Sequence, residues 1–223
     1  QVIGMLPEGL VKPRHARLVG ELVETEGLFA LNATVDAAAH PSLPYNLFRL
    51  HTDGQGTVND GVFYQLRDAG AGRNLLVMIT KSLYSEWRRW ENTTTGDRGP
   101  AYAQEKSARA GQLLREAEEI FGSLADATLL DAYTPLTLRD WVASPEGSPY
   151  GIMRSMRQLP ALAALGRLAP AGLVFAGQSA LSPGVLGTLL GTLQAVQRVI
   201  GPDRFTAEVF EPLVRGAGKR GPA

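Results

Sequence analysis

The chain has 223 residues, 44% of them hydrophobic and 20% charged, which is apolar material enough for one large domain or two small ones. Its 22 lysines and arginines balance 22 aspartates and glutamates, so nothing in the charge argues for a nucleic-acid partner. There is no cysteine, which excludes disulfides, thiolate metal sites and cysteine nucleophiles.

Residues 1–7 lack the basic start and long apolar core of a signal peptide, and no stretch of about 18 uninterrupted apolar residues predicts a spanning helix. Four runs read as strands: 27–35, 45–52, 61–67 and 74–81. Short glycine-rich breaks lie between them, Asp53 to Gly56 and Gly70 to Gly72, which favours hairpins and an antiparallel sheet. Leu47, Arg49 and His51 alternate with Phe48 and Leu50, as on a sheet with one wet face. Residues 74–80 are almost solidly apolar, which predicts a strand covered on both sides. A short aromatic helix is expected at 82–91, then a polar loop. Over 101–121 the spacing turns helical, with Ala110, Leu113, Leu114, Ala117 and Phe121 on one stripe. Glu105 with Arg109, and Arg115 with Glu119, lie four apart on the other surface. A strand follows at 127–134, a short helix around Asp140 and Trp141, and a loop at 144–150. The run 172–177 reads as a buried strand. A second helical stripe follows it, Leu186, Leu189, Leu190, Leu193, Gln197 and Ile200, closing before Gly201 and Pro202. The tail from Arg215 is expected to be disordered.

Residues 172–191, GLVFAGQSALSPGVLGTLLG, carry the most chemical information. A strand would deliver Gly177 to a turn, and Pro183 stands where a missing N–H is harmless at a helix start. Gly184, Gly187 and Gly191 then recur at spacings of three and four, on one helical face. Each costs up to about 1 kcal/mol relative to alanine inside a helix, so something must approach that backbone closely. Two readings follow. The glycines let the helix pack tightly on its own sheet, which is the more common use, or they admit something flat near a helix end that favours anions.

The string G-Q-S-x-x-S-x-G-V-x-G-x-L, from Gly177 to Leu189, is similar to the C-terminal flavin motif of retinol saturases and carotenoid isomerases, within the flavin amine oxidase superfamily. Thr134, Pro135, Leu136 and Thr137, then Ser144 to Gly147, then Tyr150 and Gly151, resemble a second family segment in the same order and separation. The resemblance covers 120–201 and, more faintly, the first hundred residues. It implies FAD as cofactor, with Gly177 and Gln178 near the ribityl–pyrophosphate part. It also implies that Gly184, Val185 and Leu186 border the isoalloxazine, with Gly187 on the same stretch. Thr134 and Tyr150 would line the passage from flavin to substrate domain. Family members commonly place an acidic residue where Ser179 stands, and acidic and histidine residues where Met153 and Arg154 stand. No G-x-G-x-x-G follows a strand here, so the ADP half of FAD would need a complementary chain or an N-terminal segment carrying that unit.

Other residues are less specific. His15, His40 and His51 have no carboxylate at ligand spacing, so no metal site is expected, and each reads as surface or hydrogen-bonded histidine. Trp87, Arg88, Arg89 and Trp90 read as amphipathic residues at a domain edge, with membrane-surface contact as the alternative. Lys81 either reaches toward a flavin or extends to solvent. Tyr64, Tyr84 and Trp141 either line an apolar tunnel or fill core.

The expected architecture is mixed α/β. An antiparallel-sheet substrate domain with covering helices occupies 1–132, and the C-terminal portion of a Rossmann-like FAD-binding domain occupies 133–223. The function implied is part of a flavin-dependent oxidoreductase acting on carbon–carbon bonds of a conjugated apolar substrate of carotenoid or retinoid type. The cofactor would do the hard step, and no side-chain catalyst is nominated. Two alternatives stand beside it: the same scaffold oxidising a smaller amine, amino-acid or pyrroline-like substrate, and a noncatalytic lipid-binding or assembly subunit. The expected setting is cytoplasmic, with peripheral membrane contact as the variant.

Overall fold

The computed structural model describes residues 2–168, 170 and 172–217. In chain order, helix α1 (Pro13–Gly20) precedes strands β1 (Leu28–Asp36), β2 (Leu47–Thr52), β3 (Val58–Asp68) and β4 (Arg73–Lys81). Then come α2 (Tyr84–Trp87), the long α3 (Pro100–Phe121), β5 (Thr128–Tyr133) and α4 (Pro135–Val142). Helices α5 (Leu159–Leu168), α6 (Gly184–Ile200), α7 (Pro202–Phe205) and α8 (Glu211–Ala217) complete the described chain. The fold is mixed α/β, as the sequence predicts. Helix α8 occupies part of the tail expected to be disordered, and the rest of that tail lies outside the described residues.

The chain divides into two compact units: Glu26–Pro149, and Gln1–Thr25 together with Tyr150–Ala223. The boundary expected at 132/133 differs from this because β5 pairs with β1, and the segment that follows it packs in the same unit.

In the Glu26–Pro149 unit the five strands form one antiparallel sheet of order β2-β3-β4-β1-β5. The turns act as the sequence suggests. Asp53 Oδ1 accepts from the N–H groups of Gln55 and Thr57 at 2.9 and 2.8 Å, closing β2 onto β3. Those backbone donors hold the Asp53 carboxyl below its usual range. Asp68 Oδ1 accepts from the Gly70 N–H at 2.9 Å and closes β3 onto β4.

One sheet face carries the core: Phe29, Leu31, Ala33 and Val35 of β1, Val62, Tyr64 and Leu66 of β3, and Leu76 and Met78 of β4. Helix α3 lays Ala110, Leu113 and Ala117 on it, the stripe read from its periodicity. Strand β4 is covered on this side only. Leu75, Val77 and Ile79 face the other way and are half-buried, so its solid apolar run does not mean two covered faces. Trp87 and Trp90 are core residues, not edge residues, at 0% and 7% exposure. Trp87 stacks on Phe29 at 6.1 Å and donates its indole N–H to Ser82 at 2.8 Å. The arginines stay outside, with Arg89 over the Trp90 ring at 3.9 Å.

Strand β2 inverts the usual alternation. Phe48 and Leu50 are the exposed residues, while Arg49 and His51 turn toward α3. The cause is a set of carboxylates. Arg49 Nη2 meets Glu119 at 2.6 Å, and His51 lies between Asp60 at 2.6 Å and Glu116 at 2.7 Å. Glu119 therefore pairs with Arg49 rather than with Arg115, whereas the Glu105–Arg109 pair forms at 3.1 Å.

The other unit is helical. Ile152, Leu162 and Leu165 form a small cluster with Val19 and Leu22. Its two stretches of chain are joined by backbone: Thr25 N–H donates to Gly151 O at 2.8 Å, and Met153 N–H to Val23 O at 2.9 Å. Gln158 adds a side-chain tie, accepting from the Val23 N–H at 2.7 Å and donating back to the Val23 carbonyl at 3.1 Å. The strand expected at 172–177 does not form. Residues 173–176 are half-buried to exposed chain with no strand assignment, and no strand of the sheet pairs with them. A strand exists only where a neighbour takes up its N–H and C=O groups, and apolar composition cannot substitute for that neighbour.

Candidate functional site

Tyr150 and Gly151, the end of the second segment, lie with the Gly177–Leu189 segment in the helical unit, while Thr134 to Gly147 belong to the sheet unit. The loop 177–182 is gripped from both sides. On one side, a Cβ at Gly151 would overlap the Ser179 hydroxyl, so only glycine allows that approach. Arg154 then reaches over the loop and donates from Nη2 to the carbonyls of Gln178 at 2.9 Å and Ser179 at 3.3 Å. Its Nε is buried without a partner among the described residues, and burial lowers the guanidinium pKa. On the other side stands α6. A Cβ at Gly187 would lie 2.7 Å from Ser182 Cβ, and one at Gly191 would lie 2.9 Å from the Gly177 carbonyl oxygen.

Helix α6 thereby buries its smallest residues, Gly187, Gly191 and Ala195, and turns its large ones outward. Val185, Leu186, Leu189 and Leu190 are all exposed, Val185 at 92%. The apolar stripe read from the sequence is real as a stripe, but it is not the buried face.

Each expected site residue can now be located. Gly177 and Gln178 lie in the gripped loop. Gly187 packs on Ser182, so the space above it is filled by the chain itself. Gly184 differs: it opens α6 with φ +80°, and a Cβ there would meet nothing within 4 Å. Gly177 is equally open. Gly184, Val185 and Leu186 therefore form an open, apolar helix start beside the loop. As a test of fit to a flavin, the chain leaves the space over Gly177 and Gly184 unfilled, with Val185 and Leu186 exposed beside it, and Gly187 serves the packing on Ser182.

The residues expected to line a substrate passage do not share one place. Thr134 is fully buried, where its hydroxyl hydrogen-bonds Tyr102 at 2.9 Å and its N–H donates to Thr137 Oγ1 at 3.2 Å at the start of α4. Tyr64 is core, 1% exposed, against Phe121, with a buried hydroxyl that burial shifts upward in pKa. Trp141 is 74% exposed on α4, and Tyr150 is exposed in the helical unit. Lys81 pairs with Glu26 at 2.9 Å.

The histidines divide by environment. His51 is hydrogen-bonded as expected, and His40 is buried 3.5 Å from Asp126. His15 is neither surface nor hydrogen-bonded. It is 1% exposed, edge-on to Phe175 at 6.4 Å, with both ring nitrogens unpartnered among the described residues. No group of three or more His, Cys, Asp or Glu among the described residues is arranged for a metal ion. Nor is any helix among them long and apolar enough to cross a membrane.

Arg154 is the loop-holding residue that sequence reading missed. It stood out only as a departure from a family pattern. The available signal was the company it kept, an arginine three residues after the Tyr150–Gly151 pair and with no nearby carboxylate to occupy it.

The chain is thus a mixed α/β protein with a glycine-gripped loop and an open apolar helix start. By sequence, the chain is similar to the all-trans-retinol 13,14-reductase of Macaca fascicularis, 28% identical over 130 residues. That match covers 56% of this chain and 21% of the relative, so the similarity spans about a fifth of that protein. No family model matches the chain, and no solved structure matches it.

Proposed function

We propose that this chain is part of an FAD-dependent oxidoreductase that acts on carbon–carbon bonds of a conjugated apolar substrate of retinoid or carotenoid type. The observation that carries the reading is the joint cradle. Residues 150–154 and 177–191, distant in sequence, pack into one loop-and-helix arrangement and leave Gly177, Gly184, Val185 and Leu186 open. The similarity to a retinol reductase supports it independently.

Bound FAD would supply hydride exchange with a conjugated double bond, or assist its isomerisation. The chain's own residues position and cover. Gly177 and Gln178 would lie along the ribityl–pyrophosphate part, with Arg154 holding that loop in place. Val185 and Leu186 would offer an apolar wall to the ring, and Gly184 would admit it to the backbone. The ADP half would come from a complementary chain or an N-terminal segment with a G-x-G-x-x-G unit. The outward leucines of α6 support this, since a neighbouring sheet would cover them in an α/β layer.

The test is flavin retention. The chain co-produced with a G-x-G-x-x-G-bearing partner or upstream segment should purify yellow and release flavin on denaturation. Leu186→Arg should abolish the colour and leave the melting temperature unchanged, because Leu186 is 68% exposed. It is a cleaner probe than any change at Gly184, whose positive φ strains every L side chain. A complex that is colourless with the wild-type chain, or yellow with the variant, would refute the assignment.

A further inference from the structure

A concavity of about 710 Å³ lies in the Glu26–Pro149 unit, between the start of α3 and the β5–α4 segment. That volume is within the range of small-molecule sites, about 300–1,000 Å³. One wall is the loop from Thr95 to Gly99, and Arg98 fixes it. The Arg98 side chain is buried, ion-paired with Asp140, and donates to Thr93 Oγ1 at 2.8 Å and Thr95 Oγ1 at 3.2 Å. The floor is α3, where Tyr102, Ala103 and Lys106 fall on one face. Asp131, Ala132 and Tyr133 form the far wall, with Thr137 and Trp141 from α4.

Most polar groups around this cleft are already tied. Tyr102 bonds Thr134 and Tyr133 bonds Asn32, while Asp131 accepts from Asn32 Nδ2 at 2.8 Å and, as a negative charge, attracts Lys106 without contacting it. Arg98 and Asp140 neutralise each other, and Asp97 is exposed to solvent. What remains is Lys106. Its ammonium makes no ion pair or hydrogen bond among the described residues, and burial lowers its pKa against the attraction of Asp131. Trp141, meanwhile, leaves most of a large aromatic face uncovered at the rim. In the other large cleft of this unit, beside His51, Lys81, Arg109 and His51 are each matched by a carboxylate in contact, and Arg115 adds a further cation to the lining.

We propose that the α3–β5 cleft binds a flat apolar monocarboxylate, its carboxylate paired with Lys106 and its body lying against Tyr102, Tyr133 and Trp141. An underpaired ammonium in a mostly apolar recess is completed by one negative charge, and the aromatic surfaces favour a planar body. The site lies within the Glu26–Pro149 unit, and the proposal does not depend on the cofactor reading.

The experiment titrates the full chain with naphthalene carboxylate, following tryptophan fluorescence, with naphthalene methanol and naphthalene methylammonium as neutral and cationic comparators. The carboxylate should saturate and bind about tenfold more tightly than the alcohol, the worth of one charge-assisted hydrogen bond. Lys106→Met should erase that preference without moving the melting temperature, and Trp141→Ala should weaken all three probes alike. Absence of saturation, an unchanged carboxylate affinity in Lys106→Met, or tightest binding by the cation would each overturn the proposal.

Discussion

The two units of this chain differ in how their apolar residues are placed. In Glu26–Pro149 the aromatic and aliphatic residues close on themselves: Trp87, Tyr64, Phe29, Leu31 and Met78 are each at most 1% exposed. In the helical unit the buried cluster is small, and Val185, Leu186, Leu189, Leu190, Phe210, Leu213 and Val214 face outward. Helix α6 even reverses the usual order, glycine and alanine inside and leucine outside. The sheet unit closes one large core and leaves Phe48, Leu50 and Trp141 outside it. The helical unit uses small residues of α6 to grip a loop and leaves the large ones of that helix uncovered.

The largest effect that should separate them is truncation of a core side chain. Trp87→Ala should remove about 3–5 kcal/mol from the unfolding free energy of the sheet unit, measured by urea denaturation. Leu189→Ser, in an exposed leucine of α6, should stay within about 0.5 kcal/mol. Comparable losses from both would show that the outward leucines are core after all. Next in size is Gly187→Ala. A methyl there meets Ser182, so a cost of about 1–3 kcal/mol should appear as lost hydrogen-exchange protection in α6. A neutral Gly187→Ala would mean that the grip on the loop is loose.

The smallest effect concerns pH. Hydrogen bonds to Asp60 and then Glu116 raise the His51 pKa in the folded state. A raised folded pKa gives stability that is full below the unfolded imidazole value of about 6.5 and is lost as pH rises through the folded value. The urea midpoint should therefore fall modestly from about pH 6 to about pH 8, and His51→Gln should flatten that slope. The pair is exposed enough to water for the change to be small. An equal slope in both proteins would remove His51 from the account.

What the sequence made legible was whatever local chemistry decides. The three hairpin strands, β2 to β4, were readable because short glycine-containing turns fix them within a few residues. Helix α3 was readable from its stripe. What escaped depended on partners distant in sequence. The burial of Trp87 needs Phe29, and the turning of Arg49 needs Glu119. The strand expected at 172–177 needed a neighbour that the sheet does not supply. At the candidate site the glycine pattern correctly marked close approach. It could not say that Gly187 and Gly191 meet their own loop while Gly184 meets open space, because both readings predict the same spacing.

The helical unit is assembled from both sides of its neighbour: residues 23–25 find hydrogen-bond partners at Tyr150, Gly151, Met153 and Gln158. During synthesis, then, 26–149 can mature as soon as it leaves the ribosome, while the stretch before it must wait for more than a hundred further residues to emerge. Any factor that holds unfinished chains would find its handle there, and a nick near residue 149 would strand the two halves of one unit on separate pieces.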